Sequence, residues 1–136
     1  CFKGVLIKPG RPIMMSKFKQ KNKLFFGLPG NPISAAAGFR FFIYPLIRKS
    51  LGMEIENKFT AKLSNKYFKV KSFTHFVRCF KKINSRGLVQ LEVLQEQQSN
   101  KIKSFVKANC WGIFPEGKGK FKEGDIIEML GAVVGG

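Results

Sequence analysis

Residues 27–34 read Gly-Leu-Pro-Gly-Asn-Pro-Ile-Ser and join a short apolar segment to a long helical pattern. Asn31 suits the N-cap of that helix, because its side-chain oxygen can accept a hydrogen bond from an amide that the first turn leaves unpaired. Pro32 suits the first helical position, where a missing amide hydrogen costs nothing. The pattern predicts a helix from Pro32 to Leu51, about 30 Å long, with Gly52 just past its end.

This helix is apolar around most of its circumference, which is typical of a helix buried on more than one side. Arg40 interrupts the apolar run, and Pro45 is predicted to kink the helix because proline cannot donate to the preceding turn. Upstream of the helix, short apolar runs predict buried strands at 5–7, 13–15 and 24–26.

Beyond Gly52 the apolar residues recur at every second position, as in half-buried strands. Residues 73–83 and 89–93 alternate in this way around a turn cluster at 84–87, and so predict a β-hairpin. Residues 54–136 therefore predict a small all-β sandwich or barrel, with a boundary between Gly52 and Lys58. Further strands are predicted at 59–63, 104–109, 110–114 and 126–130.

The charge is strongly positive and unevenly distributed. The 136 residues include 25 Lys and Arg against 8 Asp and Glu, a formal net charge of +17. Residues 1–53 hold ten of the basic residues and no acidic one, which excludes a catalytic carboxylate or a carboxylate metal site from that segment. Bulk charge of this sign indicates an anionic ligand or partner. The abundance of Lys, Asn, Ile and Phe would also fit the composition bias of an AT-rich genome, which would account for part of the charge.

Cysteine and hydropathy patterns narrow the class of protein further. Three widely separated cysteines and the single His75 show no metal-ligand spacing, which argues against a disulfide framework or a structural zinc and favours a reducing, cytoplasmic compartment. No apolar run reaches the roughly 18 residues that a membrane span needs. The chain begins without Met and without a signal-peptide pattern, so we expect it to be a fragment.

Two turns are candidate anion sites. Lys8 and Arg11 flank a rigid Pro-Gly turn after a strand, where a point charge and a guanidinium fork suit an oxyanion; an ordinary solvated turn fits the same pattern. In residues 27–34 the glycines allow a ligand to approach the backbone, and the helix N-terminus attracts negative charge. A plain strand-to-helix connection accounts for that loop equally well.

Arg78 is the third candidate. It alternates with Phe76 and Phe80, so on an inward face its guanidinium would lie among aromatic rings and would need an anionic partner or ligand. The alternative is that the two phenylalanines face a domain junction with Arg78 at its rim. The basic segment 17–23 would suit nucleic acid or would simply be solvated, and His75 fits a strand residue better than a catalyst.

The order of these motifs closely resembles the C-terminal part of the molybdopterin molybdenumtransferases, the MoeA family, which includes the gephyrin E domain. Lys8–Pro12, residues 27–35 and the helix end at 45–49 carry the resemblance, which covers nearly the whole chain. The family's tail motif also matches, at Gln97–Ser99, Ser104, Ala108-Asn109, Pro115–Gly117 and Gly124-Asp125.

The resemblance implies an α/β catalytic-domain remnant over residues 1–53, made of strands and one long helix, followed by a C-terminal β-barrel domain over residues 54–136. It implies insertion of molybdate into adenylated molybdopterin with Mg²⁺, whose acidic ligands would lie upstream of this chain. The family works as a homodimer, with its cleft between the catalytic domain and the partner's C-terminal domain. Molybdopterin adenylyltransferase is a possible further partner.

The resemblance also assigns site residues. Lys8 corresponds to a functionally important lysine of the family, and Arg78 matches a C-terminal-domain position that faces the cleft; both are implied to be catalytic. No metal ligand is expected within the chain. We expect this chain alone to be inactive. Two other functions stay open: a gephyrin-like receptor scaffold and a basic nucleic-acid-binding module. The implied ligand-binding residues are Arg11, Gly27, Pro29, Gly30, Asn31, Pro32, Ser34 and Ser99.

Overall fold

The computed structural model describes residues 2–95 and 102–132. In chain order, the strands and helices are β1 (Phe2–Lys3), β2 (Ile7–Lys8), β3 (Met14–Phe18), β4 (Lys23–Gly27), α1 (Pro32–Gly38), a π-helical turn (Phe39–Ile43), α2 (Tyr44–Ser50), β5 (Phe59–Leu63), β6 (Tyr67–Phe68), β7 (Thr74–Ile83), β8 (Val89–Val93), α3 (Ile102–Lys107), β9 (Cys110–Phe114), β10 (Lys120–Phe121) and β11 (Ile126–Gly131).

Five of these strands close into a barrel. They follow the order β7-β8-β5-β11-β9, and β9 pairs back onto β7. The predicted hairpin is confirmed, since β7 and β8 pair antiparallel around the turn at 84–87. The alternation along β7 directs Val77 and Cys79 into the barrel core. The prediction of a small β-barrel is therefore confirmed in its architecture.

The barrel region also contains a helix that the sequence reading missed. Residues 104–109 were predicted as a strand, but α3 covers Ile102–Lys107 and the Ala108 amide donates to the Ser104 carbonyl at 3.0 Å. Ser104 is buried, whereas Lys103 and Lys107 are exposed. A single buried residue shows no period, and a run of six residues is too short for periodicity to separate a helix from a strand.

The long helix forms as predicted, with one local change. The expected burial on more than one side is wrong for α2, which has no buried residue among the described ones. Asn31 caps it by accepting from the Ile33 and Ser34 amides at 3.1 and 3.2 Å. At the other end Gly52 has φ of +71°, and the Met53 amide donates to the Arg48 carbonyl, which closes a Schellman-type cap. The π-helical turn lies directly before Pro45. Pro45 cannot donate to the preceding turn, so the hydrogen-bond ladder shifts there.

The strands before the helix form a separate antiparallel sheet in the order β1-β3-β4, while β2 joins the edge of β7 in parallel. Strands are thus present near each predicted position. The expected burial is wrong for β4, in which Leu24 and Phe25 are exposed, and it also fails for Leu6 and Met14 in the two earlier runs. An apolar strand is buried only where a second layer covers it. Within the described residues the long helix is the layer next to this sheet, and Phe2 meets Phe42 there.

The helix docks onto the outer wall of the barrel through aromatic rings. Phe41 stacks on Phe76 with ring centroids 3.7 Å apart and meets Trp111 edge-on at 5.8 Å. Ile33 and Ala37 extend the same apolar contact around Trp111. Phe76 therefore faces a junction between the helix and the barrel.

Arg40 ties this junction together from its centre. The residue is only 1% exposed. Its Nη1 and Nη2 donate to the two carboxylate oxygens of Glu56 at 2.8 and 2.6 Å, and its Nε donates to the Gly131 carbonyl at 2.9 Å. The guanidinium also lies 5.4 Å from the ring centroid of Tyr44. One side chain thus connects the helix, the segment after it and the last barrel strand.

We predict that Glu56→Gln destabilises the protein by on the order of 2 kcal/mol, because it leaves a buried guanidinium without its carboxylate. The cost is below that of a fully buried pair, since the Glu56 side chain is 32% exposed. Urea unfolding followed by circular dichroism measures the change. Glu128→Gln is the matched control, because that carboxylate pairs with Lys58 at the surface and should cost less than about 1 kcal/mol. Equal losses in the two variants would contradict the role assigned to Arg40.

Candidate functional site

The turn at Lys8–Arg11 lies beside the start of the helix. Gly10 has φ of +104°, and a Cβ added there would lie 3.5 Å from the Ser34 carbonyl oxygen. Glycine at this position therefore permits both the left-handed backbone and the close approach of the two segments. The structure thus brings together the two turns that the sequence singled out independently.

Asn31 limits anion binding at the helix N-terminus. Its side-chain oxygen accepts hydrogen bonds from the Ile33 and Ser34 amides, so those two donors are not available to an external anion. The loop remains approachable at Gly30, where an added Cβ would meet nothing within 4 Å. Gly27 has a structural reason to be glycine, because a Cβ there would lie 2.6 Å from Cγ of Met14.

The other predicted loop residues differ in exposure. Pro32 is exposed at the first helical position, Pro29 is half-buried, and Ser34 is buried at the base of the loop. Arg11 is exposed, and its guanidinium carbon lies 5.6 Å from the ring centroid of Phe73, which is a cation–π distance. The exposed Arg11 side chain and the open backbone at Gly30 are therefore both accessible near the Lys8 turn.

Lys8 stands opposite His75, its register partner on β7. The His75 ring is buried, and its Nδ1 lies 3.1 Å from the Tyr67 hydroxyl. Burial lowers the pKa of His75 to about 4, and the positive charges of Lys69 and Lys8 act in the same direction. His75 is therefore neutral near pH 7 and adds no charge to the cations around it.

Burial also shifts the pKa values of the two neighbours of His75, Tyr67 and Lys69. Burial raises the pKa of Tyr67 to about 12, so the hydroxyl stays protonated. Lys69 donates to the Phe73 carbonyl at 2.8 Å, and desolvation lowers its pKa. Tyr67, Lys69 and His75 therefore have a structural role next to the Lys8 turn.

Arg78 lies on the opposite face of β7 from His75. The residue is 1% exposed, so it is buried in the junction and the alternative that put it at the rim is wrong. Burial lowers the pKa of its guanidinium. Together with Arg40 and Trp111 it lines a cavity of about 330 Å³ between the helix, α3 and the barrel. Other walls of this cavity come from Ala36, Phe39, Phe105, Ala108, Cys110 and Ala132.

The structure does not bring all predicted site residues to one place. Lys8 pairs with His75 near the start of β7, and Gly10 of the same turn approaches the base of the 27–34 loop. Arg78 instead lines the cavity beside the helix, on the face of β7 opposite His75. Ser99 lies outside the described residues, as does the rest of the segment 97–100. The basic segment 17–23 forms the exposed end of the β3–β4 hairpin.

Sequence reasoning missed the contribution of Arg40 and Glu56. Arg40 was noticed only as an interruption of an apolar run, yet a charged residue on an apolar helix is itself a signal that it has a buried partner. Glu56 gave no comparable signal, because only the folded chain brings residue 56 to residue 40.

The fold defines a class of protein. A crystal structure of a molybdopterin biosynthesis moeA protein from Pyrococcus horikoshii OT3 matches with a TM-score of 0.73 at 22% identity, covering 94% of this chain and 31% of that one. A second such crystal structure, from Pyrococcus horikosii, matches with a TM-score of 0.73 at 27% identity, covering 93% of this chain and 30% of that one. The barrel with its docked helix is thus an architecture found in moeA proteins.

Sequence comparison gives the family. The model described as MoeA C-terminal region (domain IV) matches residues 60–131, and the chain belongs to this family. The molybdopterin molybdenumtransferase of Haemophilus influenzae is 33% identical over 131 residues, which are 94% of this chain and 32% of that protein. Molybdenum cofactor synthesis protein cinnamon of Drosophila melanogaster is 37% identical over 109 residues, which are 77% of this chain and 18% of that protein. The chain therefore spans about a third of the Haemophilus relative and less of the Drosophila one.

We predict that His75 makes the protein less stable in mild acid. Its pKa is about 4 in the folded chain against 6.5 in the unfolded one, so between these pH values the unfolded chain binds the proton more tightly. The free energy of unfolding should therefore decrease as the pH falls from about 6.5 towards 4, by on the order of 2 kcal/mol. His75→Gln should lack this component. Urea unfolding of both proteins at several pH values tests it, and parallel pH profiles would refute it.

Proposed function

We propose that the full-length protein containing this chain inserts molybdate into adenylated molybdopterin, as a cytoplasmic enzyme of molybdenum cofactor biosynthesis. Membership of the MoeA C-terminal family and the names of the relatives support this class of activity. The observation that carries the proposal in the structure is the contact between the Lys8 turn and the base of the 27–34 loop. That contact places the cationic Lys8 turn next to a loop whose backbone is open at Gly30. Both lie within residues 1–53, which contain no acidic residue.

The residues of this chain suit binding and charge stabilisation more than bond-making. Lys8 supplies a point charge for an oxyanion, and Arg11 adds a guanidinium held over Phe73. The open backbone at Gly30 lets a phosphate or pterin group approach closely. Preorganised cations of this kind act by stabilising the negative charge of bound phosphate and molybdate. None of these groups has the pairing with a general base that marks an activated nucleophile.

We propose that Arg78 acts on the site of the other subunit in a homodimer. Within one chain Arg78 and Lys8 lie on opposite faces of β7, so one subunit does not join them around a single small ligand. A cleft between one subunit's residues 1–53 and its partner's barrel would do so. In this proposal residues 1–53 complete an α/β catalytic domain and residues 54–136 form the C-terminal domain. The first barrel strand at Phe59 and the family match from residue 60 support that boundary.

Magnesium does not fit the described part of this chain. Across residues 2–95 and 102–132, no three His, Cys, Asp or Glu side chains lie close enough to hold a metal ion. We therefore assign no Mg²⁺-dependent step to these residues and propose that any such ligands belong to other parts of the full-length protein.

A molybdopterin adenylyltransferase would be the partner that supplies the adenylated substrate. No helix in the described ranges is long and apolar enough to cross a membrane.

We predict that the full-length protein inserts molybdate into adenylated molybdopterin, and that residues 1–136 alone do not. Lys8→Met in the full-length protein should reduce insertion by at least tenfold, roughly what loss of one charge-stabilising contact costs. Reconstitution of an apo-molybdoenzyme measures the reaction. Lys62→Met is the control, because Lys62 is an exposed lysine on β5. Insertion by the 136-residue chain alone, or full activity of Lys8→Met, would contradict the proposal.

A mixing experiment tests the two-subunit site separately. Full-length Lys8→Met and Arg78→Met should each be poorly active, and co-expression of the two should restore part of the activity. Partial recovery is expected because one kind of site in the mixed dimer would carry both substitutions and the other neither. Arg78→Lys accompanies Arg78→Met to separate loss of the charge from loss of folding. No recovery in mixed dimers that circular dichroism shows to be folded would indicate that the two residues act within one subunit.

A further inference from the structure

A second and larger cleft lies on the other side of Arg40. It is bounded by α2, by residues 53–58 and by the outer wall of the barrel, and its volume is about 540 Å³. We call it the α2 cleft. Pockets that bind small molecules commonly have volumes of this size, with apolar walls and a few polar groups. The apolar lining of the α2 cleft includes Phe41, Phe42, Phe76, Ile113 and Leu130.

The floor of the α2 cleft is held in place without a ligand. Phe41 and Phe76 stack face to face at 3.7 Å, and the neighbouring Arg40 is fixed by its two bonds to Glu56. A molecule entering the cleft would therefore order few side chains on binding. A preformed apolar surface of this kind favours a flat ring system.

The charged groups of the cleft are not balanced. Arg40 is paired with Glu56, and Lys58 is paired with Glu128. Arg48 and Lys49 then remain on the cleft wall with Glu54 as the other lining carboxylate. Arg48 directs Nη2 to the Glu54 backbone carbonyl at 3.1 Å, and the described ranges contain no ion pair between either cation and a carboxylate.

Arg48 also carries an unused donor. Its Nε is buried and has no hydrogen-bond partner among the described residues, while its guanidinium carbon lies 5.8 Å from the Tyr44 ring centroid. A buried guanidinium N–H without an acceptor is unfavourable, and an anionic oxygen is the acceptor that best offsets it. The cleft thus combines an apolar floor with a guanidinium at its edge, one N–H of which, at Nε, lacks an acceptor.

We propose that the α2 cleft binds a small amphipathic anion, a flat apolar ring system bearing one carboxylate, sulfonate or phosphate. The rings lie on the wall formed by Phe41, Phe76 and Ile113, and the anionic group meets Arg48 and Lys49. This site uses none of the residues assigned to molybdate or pterin binding, so it goes beyond the proposed function. Its ligand would be an effector or a second substrate of that chemical class.

The test uses 8-anilinonaphthalene-1-sulfonate as the probe, because it joins aromatic rings to a single sulfonate and fluoresces when it leaves water. Titration of the full-length protein that contains this chain should give a saturable component of one probe per chain, weakened by added salt. N-phenyl-1-naphthylamine has the same rings without the sulfonate. It should bind more weakly and show no salt dependence, since it cannot use the cations.

Substitutions locate the binding. Arg48→Met should raise the dissociation constant about tenfold, the cost of losing a charge-assisted contact, and Arg48→Lys should lie between Met and wild type. Met53→Trp should also weaken binding, because Met53 lines the cleft and a larger side chain fills it from the solvent side. Arg86→Met is the matched control, being the same change in the exposed β7–β8 turn. Circular dichroism verifies that each variant is folded.

The outcomes separate this site from other apolar surface. Equal affinities for Arg48→Met and Arg86→Met would overturn the proposal, as would binding that does not saturate near one probe per chain. Weaker binding by Phe18→Ser, with no effect of Met53→Trp, would place the probe on the exposed β3–β4 hairpin and would also overturn it. Selective loss in the Arg48 and Met53 variants would support it.

Discussion

The ion pair between Arg40 and Glu56 is the constraint on which the junction of helix and barrel depends. A guanidinium inside an apolar contact is costly unless each donor finds an acceptor. Arg40 meets this demand with both carboxylate oxygens of Glu56 and the Gly131 carbonyl. Glu56 follows Arg40 by 16 residues and Gly131 follows it by 91, so satisfying one side chain sets the position of the helix, of the segment after it and of the last barrel strand.

That junction determines how the cationic groups are distributed. With the helix held over the outer face of β7, Phe76 is covered by Phe41 and Arg78 is enclosed in the smaller cavity. The inner face of the same strand carries His75, next to the Lys8 turn. Successive residues of a strand point to opposite faces. Because Lys8 pairs with His75, this alternation places Lys8 and Arg78 on opposite sides of β7. Arg40 itself forms a wall of both cavities.

Local patterns predicted much of this fold, because their physical causes are local. The cap at Asn31, the proline at the first helical position and the glycine after the last turn concern hydrogen bonds within a few residues. The β7–β8 hairpin follows from alternation around a turn cluster. The errors arose where the pattern was short or where burial depended on a distant layer. The segment 104–109 was too short to reveal its period, and β4 is apolar yet exposed.

For the candidate site, the sequence by itself determined which residues have the right chemistry: the cations at Lys8, Arg11 and Arg78 and the glycine- and proline-rich loop before the helix. Their residue types and the turns that carry them are local properties. Only the tertiary structure decided that the Lys8 turn touches the base of that loop, that Arg78 is buried on the far side of β7, and that Arg40 finds Glu56. The reason is that contacts between distant segments depend on how the barrel closes and where the helix packs. Neither is encoded in the spacing of neighbouring residues.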